Sequence, residues 1–103
     1  MKAAYEGGAW HGALTGDIDL FNAPDVKKEL TALVQERPGS LCLDCTGLNY
    51  LDSTGLGMLV GVYKRMREVQ PDAAMTLTGL KPHLMKIFVL TGLDKLFALE
   101  VCQ

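Results

Sequence analysis

The residues best placed to do chemistry in this 103-residue chain are Asp52-Ser53-Thr54-Gly55-Leu56-Gly57. An apolar segment, Leu41 to Cys45, lies just upstream, and a helix-like pattern runs on to Gln70. A hydroxyl between a strand and a helix stands at the end of a sheet, where α/β proteins place their sites, and it can also cap the helix. Three roles are therefore open to Ser53: it attacks, it is modified, or it caps. The other candidates for chemistry are the Cys42-x-x-Cys45 pair and the two histidines, His11 and His83.

Most enzyme readings fail on chemistry. A nucleophile elbow is G-x-S-x-G, and Leu51 stands where the first glycine belongs. Acyl transfer needs a histidine base positioned by an acid. Nothing in the order of His11 and His83 favours either as that base, so a small serine hydrolase stays a remote alternative. Gly55-x-Gly57-x-x-x-Gly61 is one residue too long for a dinucleotide fingerprint, and no acid closes a following strand. The lysine-hydroxyl pair of a P-loop is missing. The histidines are too few and too scattered for a metal cluster. Cys42 and Cys45 fall on an expected strand, where positions i and i+3 point to opposite faces, so the pair reads as small core thiols. No catalytic residue, metal ligand or cofactor is assigned.

The elements that must position Ser53 follow from turn signals and periodicity. Lys2 to Glu6 and Ala9 to Leu14 are short strands around the hairpin signal Gly7-Gly8. Thr15 to Phe21 reads as a loop holding Asp17 and Asp19. Asn22 is the expected N-cap of a helix, and Pro24 suits its first turn. Val26, Leu30, Leu33 and Val34 make one helical face, which Pro38-Gly39 ends. Leu41 to Cys45 is short and nearly all apolar, as for a central strand covered on both faces. The second helix runs from about Thr54 to Gln70, with Leu56, Leu59, Val60 and Tyr63 toward the core. Ala74 to Thr78 is a strand. Pro82 opens a third helix with Leu84, Ile87 and Phe88 buried, and Gly92 suits its C-terminal cap. Leu96 to Val101 is the last strand. The order ββαβαβαβ predicts one α/β domain over residues 1–103, a mostly parallel sheet with an antiparallel N-terminal edge.

Composition excludes other classes. Hydrophobic residues make up 49% and charged residues 21%, an ordinary soluble globule. A net charge of −2 argues against a nucleic-acid surface. No uncharged run is long enough to span a bilayer. Three cysteines and no secretion signal fit a reducing, cytoplasmic setting.

A modification reading of Ser53 uses these features together. A surface hydroxyl at a helix N-terminus, followed by small residues, is accessible to a kinase. A phosphate there carries about −1.5 to −2 charge, which the helix dipole tolerates. A unit charge ~6 Å from Asp52 or the Asp17/Asp19 loop would interact by ~3 kcal/mol at an effective dielectric of 20. That is enough to turn off a micromolar complex. Gly55, Gly57 and Gly61 each cost roughly 1 kcal/mol inside a helix. Packing on the chain's own sheet or the approach of a partner would offset that. Met58, Val62 and Gly61 could form a flat partner-facing patch, or a second buried face.

The stretch Leu43-Asp44 through Leu48-Asn49-Tyr50-Leu51-Asp52-Ser53-Thr54-Gly55-Leu56-Gly57 resembles the signature of STAS domains, specifically stand-alone anti-sigma factor antagonists. Leu14-Thr15-Gly16-Asp17-Ile18-Asp19 resembles the family's L-T-G-E-L-D loop. Lys86-Ile87-Phe88 with Leu90-Thr91-Gly92-Leu93 resembles its late R-x-F…S-G-L segment. The resemblance implies a protein that binds an anti-sigma factor serine kinase and so frees a sigma factor. It implies phosphorylation on Ser53, with Thr54 a possible second acceptor, and a separate serine phosphatase that restores the hydroxyl. Asp19 and Asp52 match the family's acids near the phosphosite. The expected partner surface is Asp19, Asn22, Asp52, Ser53, Thr54, Gly55, Gly57, Met58, Gly61 and Val62. ATP would belong to the kinase. A STAS scaffold subunit of a transporter-associated or stress-sensing complex is the alternative within the same fold.

Overall fold

The computed structural model describes residues 2–100. Strands β1 (Ala4–Glu6) and β2 (Ala9–Ala13) form an antiparallel hairpin in the register Glu6↔Ala9. Gly7 and Gly8 join them with φ of 60° and 81°, the two positive values that a tight two-residue turn of this twist requires. A short strand β3 (Gly16–Ile18) leads to helix α1 (Ala23–Glu36). Strands β4 (Ser40–Asp44) and β5 (Leu48–Leu51) precede helix α2 (Ser53–Val69). Strand β6 (Met75–Thr78), helix α3 (Pro82–Leu90), a 3-10 turn (Leu93–Lys95) and strand β7 (Ala98–Glu100) follow. The main sheet has the order β1-β2-β4-β6-β7, and every pairing after the first is parallel. Gly92, with φ of 78°, turns the chain after α3. Val101 and Cys102 lie outside the described residues.

Two expectations are corrected. The segment read as a loop from Thr15 to Phe21 contains β3, and the unassigned stretch before Asp52 contains β5. These two pair in parallel as a second small sheet, with Ile18 opposite Leu51. Strands of three and four residues are too short to show a period, and their pairing is non-local. Its reward is burial: Ile18, Leu48 and Leu51 all enter the core.

The second correction concerns β4, which is covered on one face only. Leu41, Leu43 and Cys45 are buried, Ser40 and Cys42 are half-buried, and Asp44 is exposed. His11, Cys42, Thr76 and Ala98 form one cross-strand row on the open face. The two thiols therefore point apart. Burial pushes the Cys45 thiol up to about 12, so it stays protonated and packs as a small apolar group.

The core lies between the main sheet and the helices. Helix α1 buries Ala23, Leu30 and Val34; α2 buries Gly55, Met58, Leu59, Val62 and Met66; α3 buries Leu84 and Phe88. Helices α1 and α2 lie side by side. Among the described residues, no helix is long and apolar enough to cross a membrane.

Candidate functional site

The site is built around one carboxylate. Asp52 leaves β5 in extended conformation (φ −92°, ψ −176°) and is the N-cap of α2. Its Oδ1 accepts from Gly55 N at 2.9 Å, satisfying one of the free amides of the first turn. Its Oδ2 accepts from Leu20 N at 3.1 Å, which ties the β3–α1 turn to the end of α2. Its own N–H donates to Ile18 O at 3.2 Å. Capping, one of the three roles open to Ser53, falls to Asp52.

The β3–α1 turn is locked in the same manner. Asp19 Oδ1 accepts from Phe21 N at 2.9 Å and from Asn22 N at 3.2 Å. Asn22 Oδ1 accepts in return from Asp19 N at 2.8 Å, and Asn22 Nδ2 donates to Asp17 O at 2.7 Å. Ala23 N already donates to Asp19 O at 2.8 Å. This is the reciprocal geometry of a capping box, with Asp19 in the capping role. Asn22, expected as the cap, makes no side-chain cap to α1 and instead braces the turn that precedes it.

What remains free is the hydroxyl. Ser53 is the first residue of α2 and is exposed, and its side chain has no hydrogen-bond partner among the described residues. Thr54 is half-buried and lines a groove of about 340 Å³ with Ala23, Pro24, Lys27, Gly57 and Met58. Among the described residues no histidine is hydrogen-bonded to Ser53 Oγ. His11 stands on the open face of the sheet, and His83 Nε2 donates to Asn49 O at 2.8 Å. The β4–β5 turn and the start of β5 are held by Lys81 Nζ, which donates to Thr46 O, Leu48 O and Asn49 Oδ1. Among the described residues no cluster of His, Cys, Asp or Glu could hold a metal.

The three glycines differ. A Cβ on Gly55 would lie 2.5 Å from Leu51 Cδ1 and 3.2 Å from Ile18 O, so close packing on β3 and β5 demands it. A Cβ on Gly61 would meet the Lys27 side chain at 2.9–3.0 Å, so α1 explains it. Gly57 would meet nothing within 4 Å and faces solvent.

Met58 and Val62, expected on a partner-facing patch, are buried at 4% and 0% exposure. Gly55 is also buried. Helix α1 lies along this side of α2 and covers it. Periodicity within α2 cannot reveal that a second helix is its neighbour. The surface that remains open around Ser53 comprises Asp19, Asn22, Asp52, Thr54, Gly57 and, partly, Gly61.

The sequence reading also missed three exposed apolar side chains beside the site. Leu20 and Phe21 sit on the braced turn, and Tyr50 precedes Leu51 on β5. Two large apolar residues inside a short turn were the available signal for the first pair.

The STAS domain family model matches residues 13–102. The chain belongs to the STAS family. This STAS domain is 36% identical over 87 residues to a protein of Listeria monocytogenes named "Anti-sigma-B factor antagonist", covering 84% of this chain and 75% of that one. Among solved structures it is similar to an anti-sigma factor antagonist from Mycobacterium paratuberculosis, at 26% identity and TM-score 0.82, over 96% of this chain and 82% of that one. It shares its fold with the antagonist SpoIIAA in its unphosphorylated form, at 16% identity and TM-score 0.79, over 99% and 87% of the two chains. The phosphorylated form of the Bacillus SpoIIAA aligns at 15% identity and TM-score 0.74, over 99% and 90%.

Proposed function

We propose that this STAS domain is a cytoplasmic anti-sigma factor antagonist switched by phosphorylation of Ser53. It is a regulatory binding protein and not an enzyme. Unphosphorylated, it binds an anti-sigma factor that is also a serine kinase, and the sigma factor is released. Phosphorylation ends the complex, and a serine phosphatase resets it.

The observation that carries this reading is the uncommitted, exposed Ser53 hydroxyl beside a carboxylate that has taken over the capping. The names of the relatives support it. Both oxygens of Asp52 accept from backbone amides, so the kinase brings its own base for the Ser53 proton. Ser53 Oγ attacks the γ-phosphorus of ATP, the bond to the β,γ-bridging oxygen breaks, and ADP leaves. The product dianion sits at the positive end of α2, so the domain keeps its fold. In the complex, however, it would face the nucleotide phosphates and the catalytic carboxylate of the kinase. Repulsion and lost solvation then release the partner.

The test is incubation with the cognate anti-sigma factor kinase and ATP, read by intact mass and peptide mapping. Ser53→Ala should block phosphate gain and keep binding, and Ser53→Asp should weaken binding at least tenfold. Phosphate on Thr54 alone would overturn the assignment of Ser53. No phosphate and no binding would overturn the function.

A further inference from the structure

Leu20 and Phe21 remain 62% and 87% exposed. Single exposed apolar residues are ordinary on a protein surface. These two are adjacent, and their backbone is held from both sides. Leu20 N is bound to Asp52 Oδ2 and Phe21 N to Asp19 Oδ1. A turn with this many ties holds an aromatic ring out in solvent. Little further backbone order is lost when such a side chain is buried by a partner, which lowers the cost of using it as an interface anchor.

The second observation is Gly57, one turn along α2 from Ser53. It costs about 1 kcal/mol relative to alanine in the helix. Unlike Gly55 and Gly61, no neighbour among the described residues requires it. It lines the groove between α1 and α2, whose other wall starts at Ala23 and Pro24, just after Phe21. The apolar pair and the groove thus adjoin.

We infer that Leu20 and Phe21 anchor the docking of the anti-sigma factor kinase, with Phe21 seated in an apolar pocket of that partner and Gly57 leaving room for its backbone. The inference rests on the function proposed above and names the surface that serves it. Footprint decides the occupant. A specific complex covers about 800 Å² on each side, roughly a disc of 16 Å radius. Asp52 precedes Ser53 and is hydrogen-bonded to Leu20 N, so a kinase centred on Ser53 covers Phe21 as well. Charge fixes the chemistry of the pocket rim. Asp17 and Asp25 are exposed on either side of the turn and Lys27 in the adjoining groove, so the rim is basic where it faces the turn and acidic where it faces Lys27.

The test compares Leu20→Ser, Phe21→Ser and, as a control on α3, Leu90→Ser, a residue 75% exposed. Calorimetric binding to the purified cognate kinase is measured with thermal melts and with sedimentation of each variant alone. Phe21→Ser should weaken binding at least tenfold and Leu20→Ser several-fold. Leu90→Ser should stay within twofold, and all three melts should match the parent. Binding of Phe21→Ser within threefold of the parent overturns the anchor while leaving the proposed function intact. A parent that neither binds nor gains phosphate overturns both. A parent dimer lost in Phe21→Ser, with kinase binding unchanged, assigns the patch to a second copy and overturns the inference.

Discussion

The end of α2 around Ser53 and the open face of the main sheet both meet solvent and both carry groups capable of chemistry. They differ in what orients those groups. Around Ser53 the side chains of Asp52, Asp19 and Asn22 are bonded to backbone amides and carbonyls of two different segments. The backbone that carries the uncommitted Ser53 hydroxyl is thereby held in a defined place. On the open face, His11, Cys42 and Thr76 are neighbours by strand register, yet no hydrogen bond between their side chains joins them. The Cys42 thiol is pushed up by burial and further by the carboxylates of Glu100 and Asp44, so it stays protonated rather than reactive. Nearness of chemical groups does not make a site; second contacts that fix them do.

This contrast can be tested through stability. Gly55→Val should have the largest effect, a loss of about 2–3 kcal/mol in urea unfolding, because its side chain would enter space held by Leu51 and Ile18. A neutral outcome would mean that the site's base is not tightly packed. Asp52→Ala should cost about 1–2 kcal/mol through the lost cap. The amides of Leu20 and Gly55 should lose protection from hydrogen exchange together. Protection lost at Gly55 alone would break the claimed coupling between the two segments. Cys42→Ala should change stability by less than about 0.5 kcal/mol, because this half-buried side chain on the open face makes no hydrogen bond to the described residues. A cost equal to that of Asp52→Ala would show the open face to be as constrained as the site.

Local signals made much of the fold legible. Gly7-Gly8, Pro24 and Pro82 mark their turns and helix starts, and the Leu84/Phe88 stripe of α3 is buried as its spacing implies. Asn22, expected as the N-cap of α1, does hold that position, yet its side chain turns back to accept from Asp19 N instead of capping the helix. Cys42 reads as apolar in a run of apolar residues, yet pleating turns it to the open side of β4.

The sequence alone determined that a small hydroxyl stands where a strand feeds a helix, with an acid before it and glycines after it. It also determined the alternation of elements that makes a parallel sheet. These are short-range properties, set by backbone preferences and by contacts a turn apart. The tertiary structure decided the rest. It tied the second oxygen of the capping Asp52 to the β3–α1 turn, because Leu20 N comes within reach only when β3 pairs with β5. It buried Met58 and Val62 under α1 and left Leu20 and Phe21 in water. Exposure depends on which distant segments lie alongside, and that is settled by packing rather than by the pattern within one element.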